Sequence, residues 1–241
     1  TGASVLPDRC GPGPDGGSGW LSDGPFSQRL MNSPVDVVVI GAGAAGLAAA
    51  RALTAGGFTS VMLEADGHIG GRAHTEIMPD GAPFDLGCHW MHSASLNPFV
   101  QTADVLGVQY ERREGYGRSA FFRNDRWLND AEVAAGVQAM EEREAAAATA
   151  WSQGKDRSVL ETVEREDSWT EYLDYLDTLN TSSDVDQISI GDLVSYKDTG
   201  ENWPVVDGYG TLVSRWGADV PVSLNTVATA VSWGASGVTV E

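Results

Sequence analysis

From residue 34 onward, the hydrophobic positions begin as a near-continuous β-branched run, Val35-Asp36-Val37-Val38-Val39-Ile40. Such a run predicts a buried strand of a parallel sheet, where neither face meets water. Gly41–Gly46 interrupts it, and Ala44–Thr54, built of Ala, Leu and Arg, predicts a helix that closes at Gly56-Gly57. Ser60–Glu64 is a second, equally apolar strand. Thr75–Met78 and Phe84–Leu86 predict short extended segments, and Pro98–Leu106 a helix. Val108–Glu111, Ser119–Phe122 and Arg126–Leu128 predict short strands. Glu132–Trp151 is a long Ala- and Glu-rich helix whose charges form a solvated face, and Trp169–Leu179 is another helix. The polar residues 152–168 read as a surface connection. A loop and a helix fall between Gly191 and Gly217, and Val220–Leu224, Ala228–Trp233 and Gly237–Val240 predict strands. The fold class is α/β.

Between the first strand and the first helix stands Gly41-Ala42-Gly43-Ala44-Ala45-Gly46, a G-x-G-x-x-G turn in full βαβ context. Gly41 allows the tight turn, Gly43 lets the backbone approach a pyrophosphate, and Gly46 lets helix pack on strand. The N-terminus of the helix, at Ala44 and Ala45, offers amide N–H groups and a positive dipole end to phosphates. Glu64 ends the second strand, 18 residues past Gly46, where its carboxylate can accept hydrogen bonds from both ribose hydroxyls. Gly70-Gly71-Arg72 follows within eight residues of Glu64, and the guanidinium fork of Arg72 suits phosphate oxygens. These residues predict a dinucleotide site.

Composition narrows the partners. With 34 acidic against 15 basic residues the formal charge is −19, which excludes nucleic-acid binding, since phosphate contact needs clustered Lys and Arg. The same charge steers a cationic ligand inward, or simply keeps the protein soluble. Cys10 and Cys88, the two cysteines, stand far apart in unlike contexts, and no disulfide framework or thiolate metal site is expected. His89 and His92 form His-x-x-His without further ligands, so no metal is expected. No apolar run reaches membrane-spanning length and no apolar core of a signal peptide precedes Pro34, so the expectation is a cytoplasmic protein without a membrane partner. Residues 1–33, rich in Gly, Pro and Ser, read as a disordered tail or a non-native extension ahead of a start at Met31.

Val39–Leu47, Leu63-Glu64-Ala65 and Gly70–Thr75 together resemble the N-terminal part of the flavin-containing amine oxidases, a family that includes polyamine, monoamine and L-amino-acid oxidases. Phe84–His92 is similar to the segment that passes the flavin ring, Asn202–Gly210 to a later glycine turn, and Leu224–Val240 to the strand pair beside the adenine. The resemblance implies a Rossmann-like FAD-binding domain with an interleaved, partly helical substrate domain. Residues 34–95 are then its first part, 96–200 the substrate-domain portion, and 201–241 the return. It adds Ala65, Gly87, Cys88, His89, Trp90 and Ala228 to the cofactor-binding residues and makes His92 the catalytic candidate, an imidazole able to tune the protonation of an amine. Cys88 reads as a small packed residue rather than a nucleophile or flavin tether.

The activity implied is oxidation of a small amine by hydride transfer to flavin N5, with O2 as acceptor and peroxide released. Rival readings are a carotenoid desaturase, a protoporphyrinogen oxidase-like enzyme, or a non-catalytic FAD-binding fragment. Asp66-Gly67-His68 departs from the family, which often carries basic residues there. Family members also run well past this length, to a lysine linked through water to the flavin and a second FAD segment. The chain is therefore expected to be truncated at its C-terminus, with a second chain as one possible source of that half.

Overall fold

The computed structural model describes residues 34–113, 120–163 and 168–241. The predicted tail at 1–33 and Ser119 of the predicted strand Ser119–Phe122 lie outside these residues. The chain forms two compact units, one of residues up to Met91, Leu96–Arg112 and Trp203–Glu241, the other of His92–Ser95 and Arg113–Asn202.

In the first unit, β1 (Val37–Ile40) and β2 (Ser60–Leu63) run parallel in the register Val37↔Ser60 to Ile40↔Leu63. Helix α1 (Ala44–Ala55) makes the crossover and buries Leu47 and Ala50. These two join Met62, Ile69, Ala73, Val213, Val220 and Val222 in one apolar core. β1 is not the doubly covered strand that its sequence predicts: none of its residues is fully buried, and Ile40 is 53% exposed. The physical reason is pairing, since β2 is the only strand hydrogen-bonded to it among the described residues. Val220–Leu224 buries Val220 and Val222 as expected, yet touches β2 through a single bridge, Leu63↔Ser223, and forms no strand.

β3 (Thr75–Ile77) and β4 (Pro83–Asp85) form an antiparallel hairpin, and β5 is Trp90–Met91. Helix α2 (Pro98–Leu106) has the predicted bounds because both caps are local. Asn97 accepts the Phe99 amide, Pro98 fills the first turn, and Gly107 ends it at φ 63°. Although a sequence boundary at 96 assigns α2 to the middle portion, it packs in this first unit. The predicted strand Val108–Glu111 is one bridge, Tyr110↔Val205.

In the second unit β6 (Phe122–Arg123) pairs with β7 (Arg126–Trp127), followed by the long helix α3 (Asp130–Ser152). Asn129 and Glu132 close a capping box at the start of α3. Its buried residues are few and small, Gly136, Ala139 and Ala147, so most of the helix is a solvated face. The connection after α3 is not all surface: Val159, in a short 3-10 turn (Val159–Glu161), is buried with Ala147, Ile188 and Ile190. Helices α4 (Thr170–Thr181) and α5 (Ile190–Ser195) complete the unit.

The chain re-enters the first unit at β8 (Trp203–Pro204), antiparallel to β5, and continues into α6 (Tyr209–Trp216). β9 (Val231–Gly234), shorter and later than the predicted Ala228–Trp233, pairs with β10 (Gly237–Val240) in a hairpin.

Candidate flavin site

The glycine turn is built by backbone approach. The Gly41 amide donates to Leu63 O at 2.8 Å, and the Gly70 amide to Ala42 O at 2.9 Å. A β-carbon at Gly46 would stand 2.0 Å from the Gly41 carbonyl oxygen, so helix and strand pack this closely only with glycine there. At Gly41 an added side chain would meet nothing within 4 Å: the outer face of the turn is open. Helix α1 starts at Gly43 without a side-chain cap and without an acid in its first turn. Its N-terminal amides and dipole are thus offered to an external anion.

Glu64 sits at the rim of this turn, 8% exposed. Its Oε2 accepts the Ala42 amide at 2.6 Å and its Oε1 the Asp66 amide at 2.9 Å. Two charge-assisted bonds hold the carboxylate still, and each oxygen keeps lone-pair capacity for a hydroxyl. The segment after Val222 is hooked to the same strand end, the Glu64 amide donating to Ser223 O and the Thr226 amide to Glu64 O. Half-buried Ala228 follows two residues on, while Ala65 is exposed beside Glu64.

Gly70 is buried against the turn, whereas Gly71 and Arg72 are exposed. The Arg72 carbonyl accepts the Cys88 amide at 3.0 Å, which ties the Gly70–Arg72 loop to Gly87–Trp90. Cys88 is exposed, against the expectation of a packed residue. The reason is local: its neighbour Gly87 takes the close approach to Arg72 O and leaves the thiol on the open side. His89 Nδ1 meets Asp85 Oδ2 at 3.0 Å with the ring 47% exposed, and its edge packs on Trp90 at 5.2 Å.

Asp85 is the residue that sequence reasoning missed. Its side chain accepts the Thr75 hydroxyl, the Tyr209 amide at 2.9 and 3.1 Å, and the Gly210 amide at 3.4 Å, besides His89. It therefore caps α6 from a strand 124 residues upstream. Burial pushes the Asp85 carboxyl up, but the bonds from Thr75, Tyr209, His89 and Gly210 outweigh it and hold the pKa below its ordinary value. Gly208 and Gly210 make the approach possible, since β-carbons there would stand 2.3 Å from Thr75 atoms. One signal was available: the residue before Tyr209 is glycine, so the helix start has no side-chain cap of its own and needs an acceptor from elsewhere. The Tyr209 phenol is pushed up first by burial and then by the neighbouring Cys88 thiol, with a bond to Asn97 acting the other way.

His92 belongs to the second unit and is an exposed residue, with Nδ1 2.5 Å from Asn202 Oδ1 in a part-buried contact. Among the described residues no group of three His, Cys, Asp or Glu side chains could hold a metal, and no helix is long and apolar enough to cross a membrane.

The profile of the family described as flavin containing amine oxidoreductase matches residues 44–241. The chain belongs to this family. Its cofactor is FAD. Polyamine oxidase 4 of Oryza sativa subsp. japonica is 38% identical over 92 residues, 38% of this chain and 19% of that protein. Putrescine oxidase of Kocuria rosea is 40% identical over 102 residues, 41% of this chain and 21% of that protein. Among solved structures, cyclohexylamine oxidase from Brevibacterium oxydans superimposes with a TM-score of 0.64 at 20% identity, over 87% of this chain and 55% of that one. A putrescine oxidase double mutant gives 0.62 at 21% identity, over 86% and 54%. The chain thus spans about half the length of these solved relatives, and at such identity the likeness is one of fold.

The residues present fit FAD at its adenosine and diphosphate end. The open face at Gly41 and the uncapped start of α1 suit a diphosphate, and the fixed carboxylate of Glu64 suits ribose hydroxyls.

Proposed function

We propose that this chain holds FAD through the glycine turn and Glu64 and serves the oxidation of a small cationic amine. The observation that carries the reading is the uncapped, acid-free start of α1 with Glu64 fixed at its rim. In this reading, the amides of Ala44, Ala45 and Gly46 bind the diphosphate, Arg72 adds a guanidinium beside it, and Glu64 accepts from the ribose. The Ala228 backbone lies along the adenine. Gly87, Cys88, His89 and Trp90 line the approach to the flavin ring, with His89 oriented by Asp85. When bound, FAD supplies the redox chemistry, the two-electron oxidation of an amine to an imine as a hydride, with O2 the acceptor and peroxide released. His92, whose Nδ1 lies 2.5 Å from Asn202 Oδ1, is the candidate for tuning the protonation of the amine.

Purified chain, incubated with FAD and passed over a desalting column, is expected to stay yellow. Glu64→Gln should weaken FAD roughly tenfold or more, since one of its charge-assisted bonds becomes a donor–donor clash. Putrescine should then bleach the bound flavin anaerobically and release peroxide in air. A colourless wild-type chain, or full retention by Glu64→Gln, would overturn the binding assignment. Flavin that no amine reduces would overturn the oxidase one.

A further inference from the structure

His68 and His74 stand at the two ends of the short loop that carries Gly70, Gly71 and Arg72. Their rings are stacked, with centres 4.1 Å apart and planes 22° from parallel. The loop between them leans on the glycine turn. The Gly70 amide donates to Ala42 O, Gly70 bridges to Gly43, and a β-carbon at Gly71 would stand 3.4 Å from the Gly43 Cα. Inside the loop the Ala73 amide donates to Gly70 O at 3.1 Å. His68 is exposed, with Nδ1 3.2 Å from Ile69 O, and His74 is half-buried. The charged groups around the pair are few. From β3, Glu76 Oε1 lies 3.8 Å from His74 Nε2. The loop itself brings Asp66 and Arg72, both exposed. From β4, Asp85 has its carboxylate taken up by Thr75, His89 and the α6 amides. Helix α6 and the segment after Val222 bring only the Gly210 backbone and the uncharged Asn225 to this loop.

We infer that the His68–His74 stack is a proton-sensitive clasp on the Gly70–Arg72 loop, closed while at most one ring is charged and opened when both are, and that its opening loosens FAD. The link to FAD rests on the flavin-binding function proposed above; the clasp rests on the stack and the loop alone. Imidazole is the side chain whose ordinary charge change falls between pH 5 and 8. A neutral ring stacks on a neutral or a charged one. Two imidazolium rings 4.1 Å apart repel each other, at a distance that leaves no room for water between them. The Glu76 side chain is 60% exposed and offsets little of that repulsion. When the rings part, the two ends of the loop part with them, and Gly70 and Arg72 leave their place against the glycine turn. The added charge also attracts a diphosphate, but on an exposed ring in salt that attraction is screened. Loss of the loop's seat is the larger effect. The two rings form one interacting pair, so their protons are taken up in two coupled steps.

Two measurements on the full chain test this, FAD affinity by equilibrium dialysis and the His68 and His74 ring protons by NMR without FAD, both between pH 7.5 and 5.5. Affinity should fall roughly tenfold across that range. His68→Phe keeps a flat ring over His74 but cannot take the second charge, and its affinity should stay level across the same range. In the chain without FAD, the upfield shifts that stacking gives the ring protons should be lost on acidification. In His68→Phe the stacked shift of His74 should persist to pH 5.5. FAD held equally at both pH values by the wild type would overturn the gating, and so would an equal fall in His68→Phe. Ring shifts that stay stacked at pH 5.5 would overturn the clasp. His68 is exposed, so its variant tests little but the stack; should it fail to fold, the wild-type shifts and dialysis decide between these outcomes by themselves. No FAD bound at any pH, with the stacked shifts lost on acidification, sinks the flavin reading and keeps the clasp. Level FAD affinity with the stack intact sinks the clasp and keeps the flavin reading.

Discussion

Replacing Asp85 by Ala or Asn tests how the return segment is held to the hairpin. The carboxylate receives the Thr75 hydroxyl and the Tyr209 and Gly210 amides in a setting where its own side chain is 3% exposed. Asp85→Ala leaves the α6 amides without a cap, about 0.5–2 kcal/mol by itself. It also leaves a buried donor unsatisfied, about 1–3 kcal/mol more. The half-exposed His89 contact adds little, as surface ion pairs do. A total of about 3 kcal/mol is expected, which for a domain of this size lowers Tm by roughly 6–12 °C. Asp85→Asn keeps the shape but turns an amide donor towards donors, and should cost about 2 kcal/mol. The pH dependence has a definite sign. Because the folded pKa lies below the ordinary value of 3.8, Asp85 contributes its stability above that value and loses it as pH falls through the folded pKa. Urea unfolding followed by Trp fluorescence should therefore show a gap between wild type and Asp85→Asn that is constant near neutrality and closes in strong acid. A gap under about 0.5 kcal/mol at neutral pH, or one that widens on acidification, would refute the capping role.

The other predictions concern packing. Gly46→Ala places a β-carbon 2.0 Å from the Gly41 carbonyl oxygen, so the turn must open; retained FAD should fall at least about tenfold, read by absorbance after desalting. Gly136→Ala brings a β-carbon to 2.7 Å from the Trp169 ring and should lower stability by about 1–3 kcal/mol in denaturant unfolding, without altering flavin titration. Arg143→Met removes the guanidinium that binds Asp174 at 2.7 Å and Asp177 at 2.8 Å, at a cost of about 3 kcal/mol. Burial already pushes the Asp177 carboxyl up, so this variant should regain stability as pH falls and the acids protonate. A cost that grows on acidification would count against it.

What the sequence made legible was local. The β1–α1–β2 unit and the bounds of α2 follow from signals within a few residues of each other: a β-branched run, a glycine turn, Asn97 and Gly107 as caps. Glu64 lies one residue past β2, which ends at Leu63 rather than at Glu64 as expected, and strand length and spacing place it to within that residue. The bonds it makes to Ala42 and Asp66 depend on how the turn folds back, and no periodicity carries that. Val220–Leu224 has the alternation of a strand, but alternation reports burial and not pairing; the segment meets β2 at one point. Asp85 escaped because its partners are far along the chain, and an acid at a strand end looks like any solvated acid.

The same long reach bears on how the protein is made. During synthesis, Asp85 and the hairpin leave the ribosome long before α6, which the intervening second unit separates from them. At about 5–20 residues per second, the hairpin waits on the order of ten seconds for the helix whose amides it binds. Throughout that interval Asp85 is a solvated carboxylate and the core around Leu47 lacks Val213, Val220 and Val222. The flavin-binding unit is thus completed late, in one closing step, and its nascent βαβ half is the stretch most in need of chaperone protection while it waits.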